Sequence, residues 1–369
     1  MRILIANDKF KGSLPAEKAG FHLKNSLETA FPQASFDLCP IADGGEGTAL
    51  AMTTALAGEW IRGTTQDAQG RPLEAPFGWV TSSATAIMEM SAASGLAIVH
   101  DLKLNPLTAS TLGTGILIQS ALAKGARRIL IGIGGSATND GGLGVAVALG
   151  WRFFRADGST FQPTLETVLA AVRMESPSHP LPEILVACDV DNPLLGPRGA
   201  TRVYGPQKGV QDFAWFEERL AHLAQLTATA TGTDHQHQLG AGAAGGLGFG
   251  LMAFAGGKLT SGFELIAAQV GLAERIRQAD LVFTGEGRLD DQSLQGKGPI
   301  GVAKLAKSLG KKVVGIAGSV TDAPGLRDCF DLLIAIKPTD MPLPEAMRRT
   351  DELIGQAIAA HSAELRALR

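Results

Sequence analysis

Short apolar runs rich in β-branched residues recur along the chain at Ile3–Ala6, Ile129–Ile133, Ile184–Ala187, Leu281–Thr284, Val313–Ala317 and Leu332–Ile336, each followed by polar or glycine-rich residues. Continuous rather than alternating hydrophobicity over such short spans is the pattern of a strand buried on both faces. These runs predict parallel strands. Helical periodicity falls between them, at Pro15–Ala30, Thr114–Ala123, Ile300–Ser308 and Leu343–Ala360, and Ser13 stands where it could cap the first, with Glu17 close behind. Alternating strands and helices imply a parallel sheet with helices on both faces.

The stretch between Glu59 and Val99 differs, reading as short strands joined by Gly and Pro turns, as in an antiparallel meander. Pro177–Pro182 and Thr227–Gln238 predict exposed loops. A chain of 369 residues is too long for one ordinary core. The expected architecture is α/β with two domains. A doubly wound, mostly parallel, Rossmann-like sheet is formed by both chain ends, residues 1–60 and 280–369, and an inserted α/β domain, residues 61–279, carries the glycine-rich loops.

Composition narrows the function classes. A net charge of −3 and a pI near 6.2 give no basic field for a polyanion, and no aromatic-basic stripe is present, so no nucleic-acid partner is expected. Cys39, Cys188 and Cys329 are far apart, without the close pairing of a zinc knuckle or a disulfide framework, which points to a reducing compartment and no structural metal. The run before Asn7 is too short for a signal-peptide core, so no export and a cytoplasmic location are expected. Leu239–Gly257 is uncharged over about the length of a bilayer span, yet eight of its residues are glycine and five are alanine. It predicts a glycine-rich turn and a buried helix, and no membrane partner.

The densest candidate for chemistry is Ile129–Gly150, ILIGIGGSATNDGGLGVAVALG: an apolar run, a polar glycine-rich loop, and a small-residue helix. A strand that empties into a loop at a helix N-terminus offers free N–H groups and a positive dipole end to an anion, most often a phosphate. Gly132 to Ala137 also matches the dinucleotide fingerprint, with Trp151–Phe154 and Asp157 in place of the second strand and its ribose acid; against this, Asn139-Asp140-Gly141-Gly142 is a turn signal where the helix should already run. Gly240–Gly245 matches a fingerprint too, but no strand precedes it. There is no Walker A lysine and no protein-kinase catalytic loop.

Charged residues cluster where predicted strands end. Asp8-Lys9-Phe10-Lys11-Gly12-Ser13 follows the first strand, Asp189 and Asp191 follow Ile184–Cys188, and Thr284-Gly-Glu286-Gly-Arg288-Leu-Asp290-Asp291 follows Leu281–Phe283. Asp43-Gly-Gly-Glu46-Gly-Thr48 opens a helix. Singly, each has an ordinary alternative: helix caps for Asp43 and Glu46, an Asx turn before Pro193 for Asp189 and Asp191, a solvated pair for Lys9 and Lys11. Together they converge on loops that a parallel sheet gathers along one edge, as an active site does.

In order along the chain, NDKFKGS (Asn7–Ser13), ADGGEGT (Ala42–Thr48), GIGGSATNDGG (Gly132–Gly142), CDVDNPLLGPRGA (Cys188–Ala200), YGPQKG (Tyr204–Gly209), GAGAAGG (Gly240–Gly246) and FTGEGRLDDQS (Phe283–Ser293) resemble the bacterial glycerate kinases. The resemblance implies ATP- and Mg²⁺-dependent phosphorylation of (R)-glycerate in a cleft between two α/β domains. Most enzymes of the type yield 2-phosphoglycerate; 3-phosphoglycerate is the alternative product. A nicotinamide-dependent 2-hydroxyacid reductase and a small-anion binding protein are the rivals from other classes.

Phosphoryl transfer needs positioning and charge stabilisation, so lysines, donor-rich loops and carboxylates suffice. In this assignment Asp189 deprotonates the glycerate hydroxyl, and Lys9, Lys11 and Lys208 neutralise the phosphoryl group. Gly134, Gly135, Ser136, Thr138 and Asn139 hold phosphate or the substrate carboxylate, with Ser13, Gly245, Glu286 and Arg288 as further binding residues, and Asp43, Glu46 and Asp191 stand near Mg²⁺. The expected partners are glycerate and ATP, in a monomer or homodimer.

Overall fold

The computed structural model describes residues 1–42, 45, 47–290, 293, 298–321 and 324–368. The chain divides into two compact units: residues 1–43, 50–57 and 263–369 form one, and residues 44–49 and 58–262 the other. Residues 263–279, given to the inserted part by the sequence pattern, cluster with the chain ends.

The terminal unit is built on a five-stranded sheet with the order Leu332–Ala335, Lys312–Val320, Leu281–Leu289, Arg2–Ile5, Ser35–Leu38, and every pairing is parallel. Its central side chains, Ile3, Ile5, Leu281, Phe283, Val314 and Ile316, have no exposed surface, which is why these runs are apolar without alternation. Leu23 and Leu27 from helix Ala16–Ala30, Phe31 directly after it, and Leu353, Ile354 and Ile358 from helix Thr350–Ala360 share this core. Strand order reverses between Arg2–Ile5 and Leu281–Leu289, so connections leave their carboxyl ends in opposite directions and open a crevice there.

Two strands run past the segments that hydrophobicity marks. Leu281–Leu289 and Lys312–Val320 stay paired as far as Leu289 with Val320, so Glu286 and Arg288 lie in a strand and not in the loop the sequence suggests. Glycine both hides this strand and allows it: a Cβ on Gly285 would sit 1.7 Å from the Ile316 carbonyl oxygen, and one on Gly318 would sit 2.3 Å from that of Gly287.

The inserted unit has a six-stranded mixed sheet in the order Lys258–Thr260, Glu183–Ala187, Arg128–Gly132, Thr85–Glu89, Pro72–Val80, Glu59–Gln66. The first four are parallel and the last three antiparallel, so the meander exists but continues the parallel sheet. Arg152–Phe154 belongs to a separate three-stranded antiparallel sheet, and Asp157 closes a turn by accepting from the Ser159 N–H at 2.9 Å. The dinucleotide reading needs that strand in the parallel sheet and fails here.

The longest helix, Phe213–Thr231, absorbs the first half of the predicted loop Thr227–Gln238. Its threonines satisfy their hydroxyls locally, Thr227 on the Leu223 carbonyl and Thr231 on that of Thr227, and the helix ends at Gly232 in the left-handed conformation. Ser13 caps nothing: its Oγ donates to the Met347 carbonyl at 2.6 Å, and helix Ala16–Ala30 starts without a side-chain cap. No helix among the described residues is long and apolar enough to cross a membrane.

The glycine-rich segments pack on one another. Ala244, Gly245 and Gly246 are all left-handed and break the start of helix Ala243–Ala255, and Gly141 N–H donates to the Gly245 carbonyl at 3.0 Å. A Cβ on Gly245 would lie 1.9 Å from the Thr138 carbonyl oxygen, and one on Gly250 2.6 Å from Gly142 Cα. Alanine in place of a helical glycine ordinarily stabilises by about 0.5–1 kcal/mol. At Gly250 it has to displace backbone, so Gly250→Ala is expected to destabilise by about 1–3 kcal/mol. Urea unfolding of the variant reads this directly, and an unchanged or higher midpoint would contradict the packing argument.

Candidate functional site

In the terminal unit the candidate residues stand at the carboxyl ends of Arg2–Ile5 and Leu281–Leu289, where strand order reverses. The ladder continues beyond the first strand, with Ala6 N–H donating to Phe283 and Asp8 N–H to Gly285, both at 2.8 Å. The chain then folds on itself: Phe10 and Leu14 exchange backbone hydrogen bonds of 2.8 and 3.0 Å around left-handed Gly12. Phe10 is buried at the centre of this turn, which leaves Lys9 half-buried and Lys11 exposed on either side of it. The Asn7 amide fixes the exit by donating to the Asp8 and Ala16 carbonyls, both at 2.9 Å.

Beside this turn, Gly287 lets a strand approach closely, since its Cβ would lie 3.1 Å from Lys11 N. Glu286 accepts from Ser293 Oγ at 3.1 Å, and exposed Arg288 pairs with Asp290 at 3.0 Å. The buried Asp8 carboxylate accepts from Lys9 N–H at 2.6 Å, and its second oxygen is 3.4 Å from the Cβ position of Gly298, the first residue of helix Gly298–Ser308. The turn is thereby pinned on both sides.

In the inserted unit the carboxyl edge of the parallel strands gathers Glu89, the loop Ile133–Asn139, and Asp189. Asp189 is half-buried, and its Oδ1 accepts from Gly262 N–H, beyond the neighbouring strand, at 3.1 Å. Of the loop residues, only Gly134 and Gly135 reach solvent; Ser136, Thr138 and Asn139 are buried. No acceptor meets the Gly134 and Gly135 N–H groups among the described residues. The donors that this loop turns toward solvent are therefore backbone N–H groups. The side-chain hydroxyls are engaged inside, Ser136 Oγ donating to the Ala244 carbonyl at 3.1 Å. Asn139 donates to Thr201 Oγ1 at 3.0 Å, and its Oδ1 is a buried acceptor with no partner among the described residues. Gly245 is buried against Thr138, so it shapes the loop from behind.

Lys208 lies in a single 3₁₀ turn, Pro206–Lys208, closed by left-handed Gly209. Its side chain runs into the protein, and Nζ donates to the Thr138 carbonyl at 2.6 Å and to Ser136 Oγ at 3.2 Å. Only 1% of it is exposed, and burial pushes its pKa down to about 7 while the charge of Asp140 pulls the other way. Asp140 is itself buried and raised by desolvation, against hydrogen bonds from the N–H groups of Thr111, Gly142 and Gly144. Lys208, expected beside the transferred phosphoryl, has its ammonium beneath the loop.

Asp191 is exposed, and both its oxygens accept from Arg198, at 2.8 and 2.9 Å, which holds its pKa below the usual carboxylate range. Asp43 and Glu46 lie outside the described residues. Among the described residues no group of three or more His, Cys, Asp or Glu gathers as a metal cradle. Magnesium can be held by one or two carboxylates and substrate phosphates. Asp191 fits that need only in competition with Arg198.

Glu89 stands on the same edge outside every sequence motif. It ends the strand Thr85–Glu89, is half-buried, and accepts from Ala49 N–H at 2.9 Å and Ser91 Oγ at 3.2 Å. The signal was an acid directly after an apolar run, the same signature that marked Asp189. Tyr204 was quoted only within a motif; its hydroxyl donates to Asn192 Oδ1 at 2.6 Å and braces the segment after Asp189.

Comparison with known proteins identifies the family. Residues 3–365 match the model of the glycerate kinase family. The chain is 41% identical over 360 residues to a glycerate kinase of Bacillus subtilis, covering 95% of this chain and 94% of that one. It is 42% identical to a glycerate 2-kinase of Escherichia coli, over 94% of this chain and 93% of the relative. A solved structure bearing the name glycerate kinase 2, from Salmonella typhimurium LT2, superposes with a TM-score of 0.89 at 38% identity, over 100% of this chain and 98% of the other. A match over nearly the whole length, to a family model and to relatives about 40% identical, makes this chain an α/β phosphotransferase of the glycerate kinase family.

Proposed function

We propose that the protein transfers the γ-phosphoryl group of ATP to the 2-hydroxyl of (R)-glycerate, giving 2-phosphoglycerate, with Mg²⁺. The observation that carries this reading is Asp189, a carboxylate at the end of a buried strand, whose Oδ1 accepts from Gly262 N–H, on the same sheet edge as the Gly134 and Gly135 N–H groups, which meet no acceptor among the described residues. The similarity to a protein named glycerate 2-kinase supports the choice of hydroxyl.

The chemistry asks little covalent work of the protein. The Gly134–Gly135 donors hold an anionic group of a substrate, its carboxylate or a phosphate, and the rigid turn around Phe10 presents Lys9 and Lys11 to phosphate oxygens. Asp189 accepts the proton of the attacking hydroxyl. A carboxylate already held in place does not have to reorganise during the transfer, and positioning of this kind is what lowers the barrier. Mg²⁺ supplies charge neutralisation on the phosphates when bound.

Incubation with ATP, Mg²⁺ and (R)-glycerate, followed by ³¹P NMR, is expected to give 2-phosphoglycerate; the 3-isomer would overturn the choice of hydroxyl, and absence of product the whole reading. Asp189→Asn is expected to lower kcat by about 10²–10⁴-fold with substrate affinity kept. A loss within a few-fold would remove Asp189 as the base. Lys9→Ala should lower turnover by about 10²-fold or more, whereas the exposed Lys103→Ala should change it by less than about twofold. Equal small effects in steady-state assays would withdraw the lysine turn from phosphate binding.

A further inference from the structure

We propose that Lys208 is a positioning residue: its ammonium, from inside the inserted unit, sets the shape of the Gly134–Asn139 loop and does not touch the transferred phosphoryl group. The inference rests on the reading of that loop as an anion site. A lysine with 1% of its surface exposed cannot reach a ligand in solvent without the loop opening, and its two acceptors, Ser136 Oγ and the Thr138 carbonyl, belong to the loop itself. Both acceptors also meet the broken helix start: Ser136 Oγ donates to the Ala244 carbonyl, and the Thr138 carbonyl packs so closely on Gly245 that a Cβ there would lie 1.9 Å from it. Lys208 therefore ties the loop to a rigid support. The exposed N–H groups of Gly134 and Gly135 lie directly before the tied residues, so the direction of those donors depends on the tie.

The tie is also a charge. Asp140, the charged group that acts on Lys208, carries the other end of the same loop and accepts from the first turn of helix Leu143–Ala148. Burial brings the ammonium into titration near neutrality, and on deprotonation it loses its charge-assisted grip on the Thr138 carbonyl. A group that acts on an anion held equally in the ground and transition states changes KM and spares kcat.

The test compares Lys208→Met with Gly135→Ala, measuring kcat and the separate KM values for ATP and glycerate at about pH 6 and about pH 8, with a thermal scan to confirm folding. Lys208→Met is expected to raise the KM of one substrate by about tenfold at the lower pH while kcat stays within about threefold. The wild-type KM for that substrate should rise between the two pH values as the ammonium is lost, and the variant's KM should be flat. Should Lys208→Met fail to fold, Lys208→Gln and Ser136→Ala take its place with the same expectation. A loss in kcat of about 10²-fold at unchanged KM would put the ammonium on the phosphoryl and overturn the proposal, as would unchanged parameters. Gly135→Ala separates the two levels. If it raises the same KM and Lys208→Met does not, the Lys208 inference alone falls; if it leaves both KM values unchanged, the loop is no anion site and both fall.

Discussion

The inserted unit depends on one close approach of backbone to backbone. Gly141 and Gly142 lie against Gly246 and Gly250, and Thr138 and Asn139 against Gly245, at distances that leave no room for a Cβ, and Gly141 N–H donates to the Gly245 carbonyl. Everything chemically interesting on that sheet edge is downstream of this contact. It decides where the loop after Arg128–Gly132 turns, which of its residues face inward, and how far Lys208 must reach to meet it. Two segments that read as separate phosphate-binding fingerprints are two halves of one packing surface.

A consequence is a division of labour by depth. Hydroxyl and amide side chains of the loop are turned inside, and the groups left for solvent are glycine N–H donors. Backbone donors are suited to an anion because they lose no side-chain entropy on binding and are already aligned. The buried charges behind them carry a desolvation cost that hydrogen bonds offset, with three N–H groups serving Asp140 and two loop acceptors serving Lys208. The terminal unit reaches a comparable result by another route, a buried Phe10 at the middle of a turn that displays lysines on either side at the point where strand order reverses.

Much of this was legible in the sequence. The six apolar runs are all strands, because a strand covered on both faces must be apolar at every position. The acids and lysines at their ends were found because a parallel sheet carries its ligand chemistry at one edge. What escaped were features in which local signals compete. Thr227–Thr231 reads as a loop, but its hydroxyls bond back to the preceding turn and the helix continues. Glu286 and Arg288 sit among glycines and read as a turn, but those glycines fit a close pairing of strands.

By itself the sequence determined the α/β class, the six apolar strands, and, through the order and spacing of seven motifs, membership of the glycerate kinase family. These follow from local patterning and composition, which a chain carries whatever its neighbours are. Only the tertiary structure decided which of those residues face outward. Ser13, Ser136 and Lys208 are polar and lie in the right motifs, yet each is turned to a partner far away in the chain: Met347 for Ser13, Ala244 for Ser136, and the Thr138 carbonyl for Lys208. Direction is set by long-range packing, because a buried polar group has to find its hydrogen-bond partner wherever the fold brings one within reach.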